Sequence, residues 1–159
     1  MSRLSIRRAV KTDIPAVLDL LSQVLELHAE LRPDLFVPGT TKYDEDELSE
    51  MFSDDTRPVY VAEDENDKVI GYAFCQLKEP PFASTMIPRK IMFIDDLCVD
   101  ESRRGQHVAK QLFEHVSKEA LKSGCYEITL NVWEGNDGAL RFYQAMGMKP
   151  KETQMEYIL

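Results

Sequence analysis

The spacing of apolar residues divides the chain into strand-like and helix-like segments. Residues Leu4 to Val10 have the composition of an edge strand. From residue 14 to 31 an apolar side chain recurs every three or four positions, which is the period of an amphipathic helix. Residues 12–15 supply capping side chains and a proline suited to a first helical turn, and Arg32-Pro33 ends this helix.

The middle of the chain predicts a loop, a short helix and a β-hairpin. Residues 32–43 contain two prolines and a glycine and form the loop, and the acidic segment 44–53 is compatible with a short helix. Val59–Ala62 and Val69–Leu77 are strand-like runs on either side of a polar turn, which is the pattern of a hairpin. Residues 79–89 hold three prolines and cannot form a central strand.

The C-terminal half alternates strands with helices. The apolar run that opens Ile91–Val99 predicts a buried strand. The later elements are a helix from Val108 to Lys122 that ends before Gly124, a strand Tyr126–Val132, a helix Asn136–Met146 and a last strand Gln154–Leu159. The order is therefore one strand, two helices, three strands, and then helix, strand, helix and strand. We expect one α/β domain of the α+β type over residues 1–159.

Composition narrows the function classes. The net charge of −9 argues against general nucleic-acid binding, and no apolar run has the length of a membrane span or a signal-peptide core. Three cysteines, Cys75, Cys98 and Cys125, lie in or beside strand-like runs. They indicate small buried hydrophobes in a reducing compartment, not disulfides or a metal site. We therefore expect a cytoplasmic protein without metal.

One stretch, residues 95–112, predicts an anion site. A strand there feeds a helix through a turn that contains Arg104 and Gly105. The first N–H groups of a helix have no intrahelical partner, and they bind phosphate readily. A Walker-type phosphate loop is absent, which argues against a nucleotide kinase.

Two sequence motifs indicate which kind of anion this strand and turn would bind. Residues 99–109 (VDESRRGQHVA) resemble the pyrophosphate loop Arg/Gln-x-x-Gly-x-Gly/Ala of the GNAT superfamily of N-acetyltransferases, and residues 131–148 resemble its Asn-x-x-Ala-x-x-x-Tyr-x-x-x-Gly segment. The resemblance implies a mixed sheet of about six to seven strands, splayed between the fourth and fifth and flanked by four helices. It also implies transfer of acetyl from acetyl-CoA to a primary amine. His107 stands where the family usually has its second glycine.

The resemblance further implies which residues contact acetyl-CoA. The pantetheine arm would lie along the end of the fourth strand, the pyrophosphate would lie on the loop, and the last helix would contribute near its start. The residues are Leu97, Cys98, Val99, Arg104, Gly105, Gln106, His107, Val108, Ala109, Asn136, Ala139 and Tyr143. Asn136 is equally suited to cap its own helix.

Two catalytic residues follow from the same resemblance. Tyr143 matches the family tyrosine that lies near the CoA sulfur, so we expect it to be the general acid, although helical periodicity alone would make it a core aromatic. Asp95 is the expected base, with Asp96 or water as alternatives. Strand alternation predicts that the two carboxylates point to opposite faces of the sheet.

The acceptor is less well defined by the sequence. Phe36, Phe82, Asn131 and Trp133 are candidate contacts, and the acidic segment 44–47 would attract a cationic amine. A homodimer through the C-terminal strand is a further expectation. The alternative to an enzyme is a non-catalytic acyl-CoA-binding module with the same fold.

Overall fold

A computed structural model describes residues 3–159 as a sheet with helices on both faces. The strands are β1 (Ser5–Arg8), β2 (Val59–Glu63), β3 (Val69–Lys78), β4 (Ile91–Val99) and β5 (Glu127–Leu130). The helices are α1 (Ile14–Leu31), α2 (Glu45–Phe52), α3 (Val108–Lys122) and α4 (Asp137–Ala145). Within residues 3–159, none of these helices has the length and hydropathy needed to cross a membrane.

The sheet has the order β1-β2-β3-β4-β5. The first four strands pair antiparallel, whereas β4 and β5 pair parallel and are connected through α3, as a parallel pair requires. The parallel register joins only Ile91–Ile94 to Glu127–Leu130. Because β4 continues to Val99 while β5 ends at Leu130, the last five residues of β4 have no partner strand on the β5 side. This unpaired edge, called the gap below, lies where a splay between the fourth and fifth strands is predicted.

Each face of the sheet has its own core. α1 and α2 pack on one face, around large buried side chains such as Leu20, Tyr72 and Phe74. α3 covers the other face, where Leu112 and Val116 are fully buried. α3 packs closely on the sheet at Gly71, where an added Cβ would lie 3.2 Å from Leu112 Cδ1 and 3.3 Å from Val108 Cγ1 of α3, and 3.0 Å from the Cys98 carbonyl oxygen of β4. A side chain at this position would push the start of α3 away from the sheet.

The predicted last strand is absent from the described residues, so the sheet has five strands and not six to seven. The tail shows the alternation of a strand, but Met155, Tyr157 and Leu159 are 84%, 87% and 110% exposed. Alternation does not make a strand unless the backbone finds a partner edge, and the tail makes none of the sheet's hydrogen bonds. Two ion pairs hold it loosely, Lys151–Glu127 at 2.6 Å and Arg32–Glu156 at 2.8 Å.

Candidate active site

The end of β4 presents free backbone groups to the gap. The N–H of Asp100 donates to the carbonyl oxygen of Ile70 over 2.8 Å, on the β3 side. Since backbone direction alternates along a strand, Leu97 and Val99 direct their N–H and C=O groups away from β3 and toward the gap. An extended ligand arm placed there would pair with β4 as an additional strand.

A β-bulge lies where the gap begins. In the register between β3 and β4, Phe74 pairs with Asp96 and Cys75 pairs with Ile94, so Asp95 is an extra residue. A bulge interrupts the alternation of side chains. The prediction that Asp95 and Asp96 point to opposite faces is therefore wrong, because their partners Tyr43 and Tyr72 both belong to the α1 side of the sheet.

Asp95 is held by two residues that the sequence did not single out. Its carboxylate accepts hydrogen bonds from Lys42 Nζ at 2.9 Å to each oxygen and from the Tyr43 hydroxyl at 2.7 Å. The Tyr43 ring in turn stacks on Phe74, with ring centroids 5.4 Å apart. The Asp95 side chain is only 14% exposed. Its carboxylate thus binds an ammonium group, that of Lys42, at the start of the gap.

Asp96 lies in a different environment. It accepts a hydrogen bond from the hydroxyl of Tyr72 over 2.6 Å, and Tyr72 is fully buried. Burial raises the pKa of Asp96 to about 6, despite the Tyr72 hydrogen bond and the positive charge of Lys42. A carboxylate with this pKa is ionised at neutral pH and is a stronger base than an ordinary aspartate.

Tyr143 lies on α4, the helix that follows β5 in the chain. It is partly buried and packs against Phe113 and Phe142, with ring centroids 6.3 and 5.1 Å away. Burial raises the pKa of Tyr143, and the negative charge of Asp96 raises it further. Tyr143 therefore keeps its proton at neutral pH, as a general acid must.

The start of α3 is a helix N-terminus without a protein cap. His107 is its N-cap residue, but its side chain accepts no capping hydrogen bond. Across residues 3–159, no acceptor is found for the N–H groups of residues 108–110. By contrast, Asp44 caps α2, and the Asn136 side chain caps α4 by accepting from Ala139 N at 3.3 Å. Three free donors and the helix dipole make the α3 terminus suited to an anion.

His107 occupies the position of the missing glycine and adopts a backbone conformation typical of glycine. Its backbone is left-handed, with φ 61° and ψ 20°, and Gly105 before it also has a positive φ of 81°. The loop therefore needs the conformation that glycine adopts freely, and a histidine adopts it at a cost of about 1 kcal/mol.

This strain predicts that His107→Gly stabilises the protein. We expect the free energy of unfolding in urea to rise by roughly 0.5–1 kcal/mol, after allowance for the greater freedom of glycine in the unfolded chain. His107→Ala is the matched control, since it keeps the Cβ atom and should bring no such gain. Equal stabilities of the glycine and alanine variants would show that backbone strain is not the cause.

The loop before α3 is also fixed by an ion pair between Arg103 and Asp64. The Asp64 side chain is 2% exposed, and it also accepts from the N–H groups of Asn66 and Lys68 at 2.9 and 3.0 Å. Arg104, the next residue, is exposed. Asp64 thus fixes Arg103 and leaves Arg104 accessible to a ligand.

Three aromatic rings meet at the mouth of the gap on the α1 side. Phe36 packs edge-on against Trp133, with ring centroids 5.4 Å apart, and His28 lies 5.2 Å from Phe36 and 6.4 Å from Trp133. Two of the predicted acceptor contacts are therefore neighbours, and His28 joins them. Asn131 is exposed nearby in sequence.

Phe82 is not part of this aromatic mouth. It lies on the loop from β3 to β4, is 65% exposed, and makes no aromatic contact with the three rings among the described residues. That loop enters β4 at Ile91, the paired end of the strand, whereas the gap begins after Ile94.

Comparison with known proteins agrees with this geometry. The acetyltransferase (GNAT) family matches residues 24–148, and the chain belongs to this family. A crystal structure of a mutant of the BH1408 protein from Bacillus halodurans has a TM-score of 0.93 at 32% identity, covering 98% of this chain and 99% of that one.

Two acetyltransferases are also similar. The chain is 30% identical over 88 residues to a glucosamine 6-phosphate N-acetyltransferase of Trypanosoma brucei brucei, a match that covers 55% of this chain and 56% of that relative. The chain thus spans little more than half the length of that relative. An aminoglycoside N-acetyltransferase in complex with CoA has a TM-score of 0.73 at 21% identity, covering 100% of this chain and 96% of that one. At that identity the likeness concerns the fold.

Proposed function

We propose that this protein is an N-acetyltransferase that moves the acetyl group of acetyl-CoA to a primary amine. The observation that carries the proposal is a coincidence within one strand-turn-helix unit. The uncapped N-terminus of α3 follows directly on the unpaired end of β4, which starts at the Asp95 bulge. A ligand with a diphosphate at one end and an extended arm at the other fits both features.

The residues present suit acetyl-CoA. The N–H groups of Val108 and Ala109 and the side chain of Arg104 would hold the pyrophosphate. The backbone of Leu97 and Val99 would hold the arm, and the N–H of Leu97 is the expected oxyanion donor. The side chain of Cys98 is buried on the α1 face and its backbone faces β3, so Cys98 would offer the arm no hydrogen bond. Acetyl-CoA supplies the activated acetyl group, and no metal is part of this proposal.

Two residues would move protons in this reaction. Asp95 would bind the ammonium of the acceptor, and Asp96 would accept its first proton. After attack on the thioester, Tyr143 would donate a proton to the leaving thiolate, and the second proton of the acetylated nitrogen would return to the Tyr143 oxygen through water. Transfer from an amine of pKa ~10 to a group of pKa about 6 costs roughly 5 kcal/mol, against roughly 8 for an ordinary aspartate. On this ground we favour Asp96 over Asp95 as the base.

This assignment predicts a particular pH profile. With Asp96 as base, kcat/KM rises about tenfold per pH unit below the Asp96 pKa of about 6, as the carboxylate ionises, and is level from about pH 7 to 9. In Asp96→Asn only neutral amine reacts, so the profile keeps rising toward the amine pKa near ~10. Asp95→Asn is the control and should keep the break, moved to a somewhat lower pH because the negative charge of Asp95 contributes to the raised pKa of Asp96. An unchanged profile in Asp96→Asn would assign the break to another group.

The proposed function itself is tested by thiol release. The protein is incubated with acetyl-CoA and a panel of amines and amino-terminal peptides while free CoA is measured. Release that depends on the amine supports the proposal. Binding of acetyl-CoA without amine-dependent release across the panel would favour the non-catalytic acyl-CoA-binding module.

We also propose a cytoplasmic homodimer. Two features support a dimer. Met155, Tyr157 and Leu159 of the C-terminal tail are exposed, and β5 is an edge strand with one open edge within residues 3–159. A tail that pairs with the partner's β5 would cover both. The support for the cytoplasm is that Cys75, Cys98 and Cys125 are all free thiols, as a reducing compartment maintains them.

A further inference from the structure

Lys42 places a primary ammonium group at the start of the gap. Its Nζ lies 2.9 Å from both oxygens of Asp95, yet its side chain is 50% exposed while that of Asp95 is 14% exposed. The carboxylate is therefore a fixed part of the protein wall, and the lysine reaches it from solvent. A pair of this kind is weak enough for another ammonium to replace the lysine.

The loop that carries Lys42 is anchored on both sides of it. Before Lys42, Phe36 packs on His28 and Trp133, and the N–H of Gly39 donates to Glu26 Oε1 at 2.7 Å. After Lys42, Tyr43 is fixed by Asp95 and by Phe74. Displacing the lysine side chain therefore does not require the loop to move.

The loop that carries Lys42 also reaches the aromatic mouth formed by His28, Phe36 and Trp133. Phe36 and Tyr43 both belong to the segment between α1 and α2; Phe36 holds this segment against the mouth, and Tyr43 holds it against Asp95. Trp133 is 39% exposed and offers surface to a ligand. One site thus combines a carboxylate for an ammonium with aromatic rings for an apolar body.

The surrounding charge favours the same kind of ligand. Asp44, Glu45, Asp46 and Glu47 follow Lys42 and Tyr43 directly, at the start of α2, and the net charge of the chain is −9. An acidic rim raises the local concentration of cations. An anionic acceptor, such as a sugar phosphate, would be repelled at this entrance.

We infer that the acceptor is a primary alkylammonium carrying an aromatic or flat apolar group, and that it binds by displacing Lys42 from Asp95. The inference rests on the proposed function and names the substrate class of that site. Asp95 binds the ammonium, Tyr43 orients the carboxylate, and the rings of the mouth receive the apolar group. Lys42 acts as a competitor that excludes weaker ligands.

The test measures binding without acetyl-CoA. Trp133 is the single tryptophan of the chain, so its fluorescence reports on the mouth directly. The probe is 2-phenylethylamine, with 2-phenylethanol as the analogue without an ammonium group and putrescine as the amine without a ring. Because no acetyl transfer is needed, the result does not depend on whether the thiol-release experiment succeeds.

We expect Lys42→Met to bind 2-phenylethylamine about 2- to 5-fold more tightly than the unaltered protein, because a competing ion pair of ordinary strength is removed. Asp95→Asn should weaken the binding by at least about tenfold. The alcohol should bind weakly and equally to all three proteins. Lys118→Met, the same change at an exposed lysine of α3 on the opposite face, should leave the affinity for the amine unchanged.

Any of three results would contradict the inference. Equal affinities of Lys42→Met and Lys118→Met would show that Lys42 does not compete with the ligand. Equal affinities for 2-phenylethylamine and 2-phenylethanol would show that Asp95 does not receive an ammonium group. Tighter binding of putrescine than of 2-phenylethylamine would remove the aromatic part of the substrate class. Circular dichroism of Asp95→Asn separates a lost site from a lost fold.

Discussion

Replacing Tyr143 by phenylalanine is expected to lower kcat about 100-fold. The change removes one oxygen and leaves the ring between Phe113 and Phe142, so packing is conserved. Without the hydroxyl, the thiolate has to leave unprotonated or take its proton from water. The measurement is thiol release at saturating acetyl-CoA and acceptor.

Tyr60→Phe is the matched control for this variant. Tyr60 is a buried tyrosine on β2, its ring packs on His115 at 4.9 Å, and burial raises its pKa to about 12. The same atom is therefore removed from a similar environment away from the gap, and we expect kcat to stay within about twofold. The affinity for CoA should be similar in both variants. A kcat in Tyr143→Phe equal to that of Tyr60→Phe would remove Tyr143 as the acid.

Local patterns predicted the parts of this structure that depend on near neighbours. The periodicity of residues 14–31 and 108–122 gave both long helices, and the motifs indicated the family that the comparison with known proteins supports. Phe36 and Trp133 were both expected at the acceptor entrance, and the rings are in contact. The helices and the motifs follow from the spacing of nearby residues, whereas Phe36 and Trp133 are far apart in sequence and were expected together only from the family resemblance.

The features that were wrong or unseen depend on partners distant in sequence. The tail alternates like a strand, but whether it pairs is decided by an edge elsewhere, and no such pairing exists among the described residues. Asp95 and Asp96 share a face because β3 and β4 differ by one residue in register, which neither strand reveals alone. Lys42 is a single lysine in a loop, and only the folded structure brings it into contact with Asp95, which lies 53 residues later in the sequence.

Asp64 also contacts a partner distant in sequence, Arg103, and replacing it is expected to have the largest effect on the free energy of unfolding. We expect Asp64→Ala to lower the free energy of unfolding by about 3 kcal/mol, because it leaves two backbone N–H groups and the Arg103 guanidinium without their acceptor. Glu65→Ala changes the exposed neighbour in the same turn and should stay within about 0.5 kcal/mol. Urea unfolding provides both values.

The same substitution should weaken acetyl-CoA binding, because Arg103 holds the loop that continues into Arg104 and the α3 N-terminus. We expect the Kd for CoA to rise several-fold in Asp64→Ala and also in Arg103→Met. The double variant should lose less stability than the sum of the losses of the two single variants, because each single change already removes the same ion pair. Additive losses would show that Asp64 stabilises only the β2–β3 turn and not the loop.

The pH dependence of this contribution separates charge from shape. The pKa of Asp64 is lowered, first by the hydrogen bond from Lys68 N–H and then by Asn66 and Arg103, against the effect of burial. Since the folded pKa lies below the unfolded value near ~4, the stabilisation is fully present above that pH and is lost as the pH falls through the folded pKa. The stability gap between the unaltered protein and Asp64→Asn should therefore narrow below about pH 4. A gap that persists unchanged in acid would mean that the carboxylate charge is not what holds Arg103.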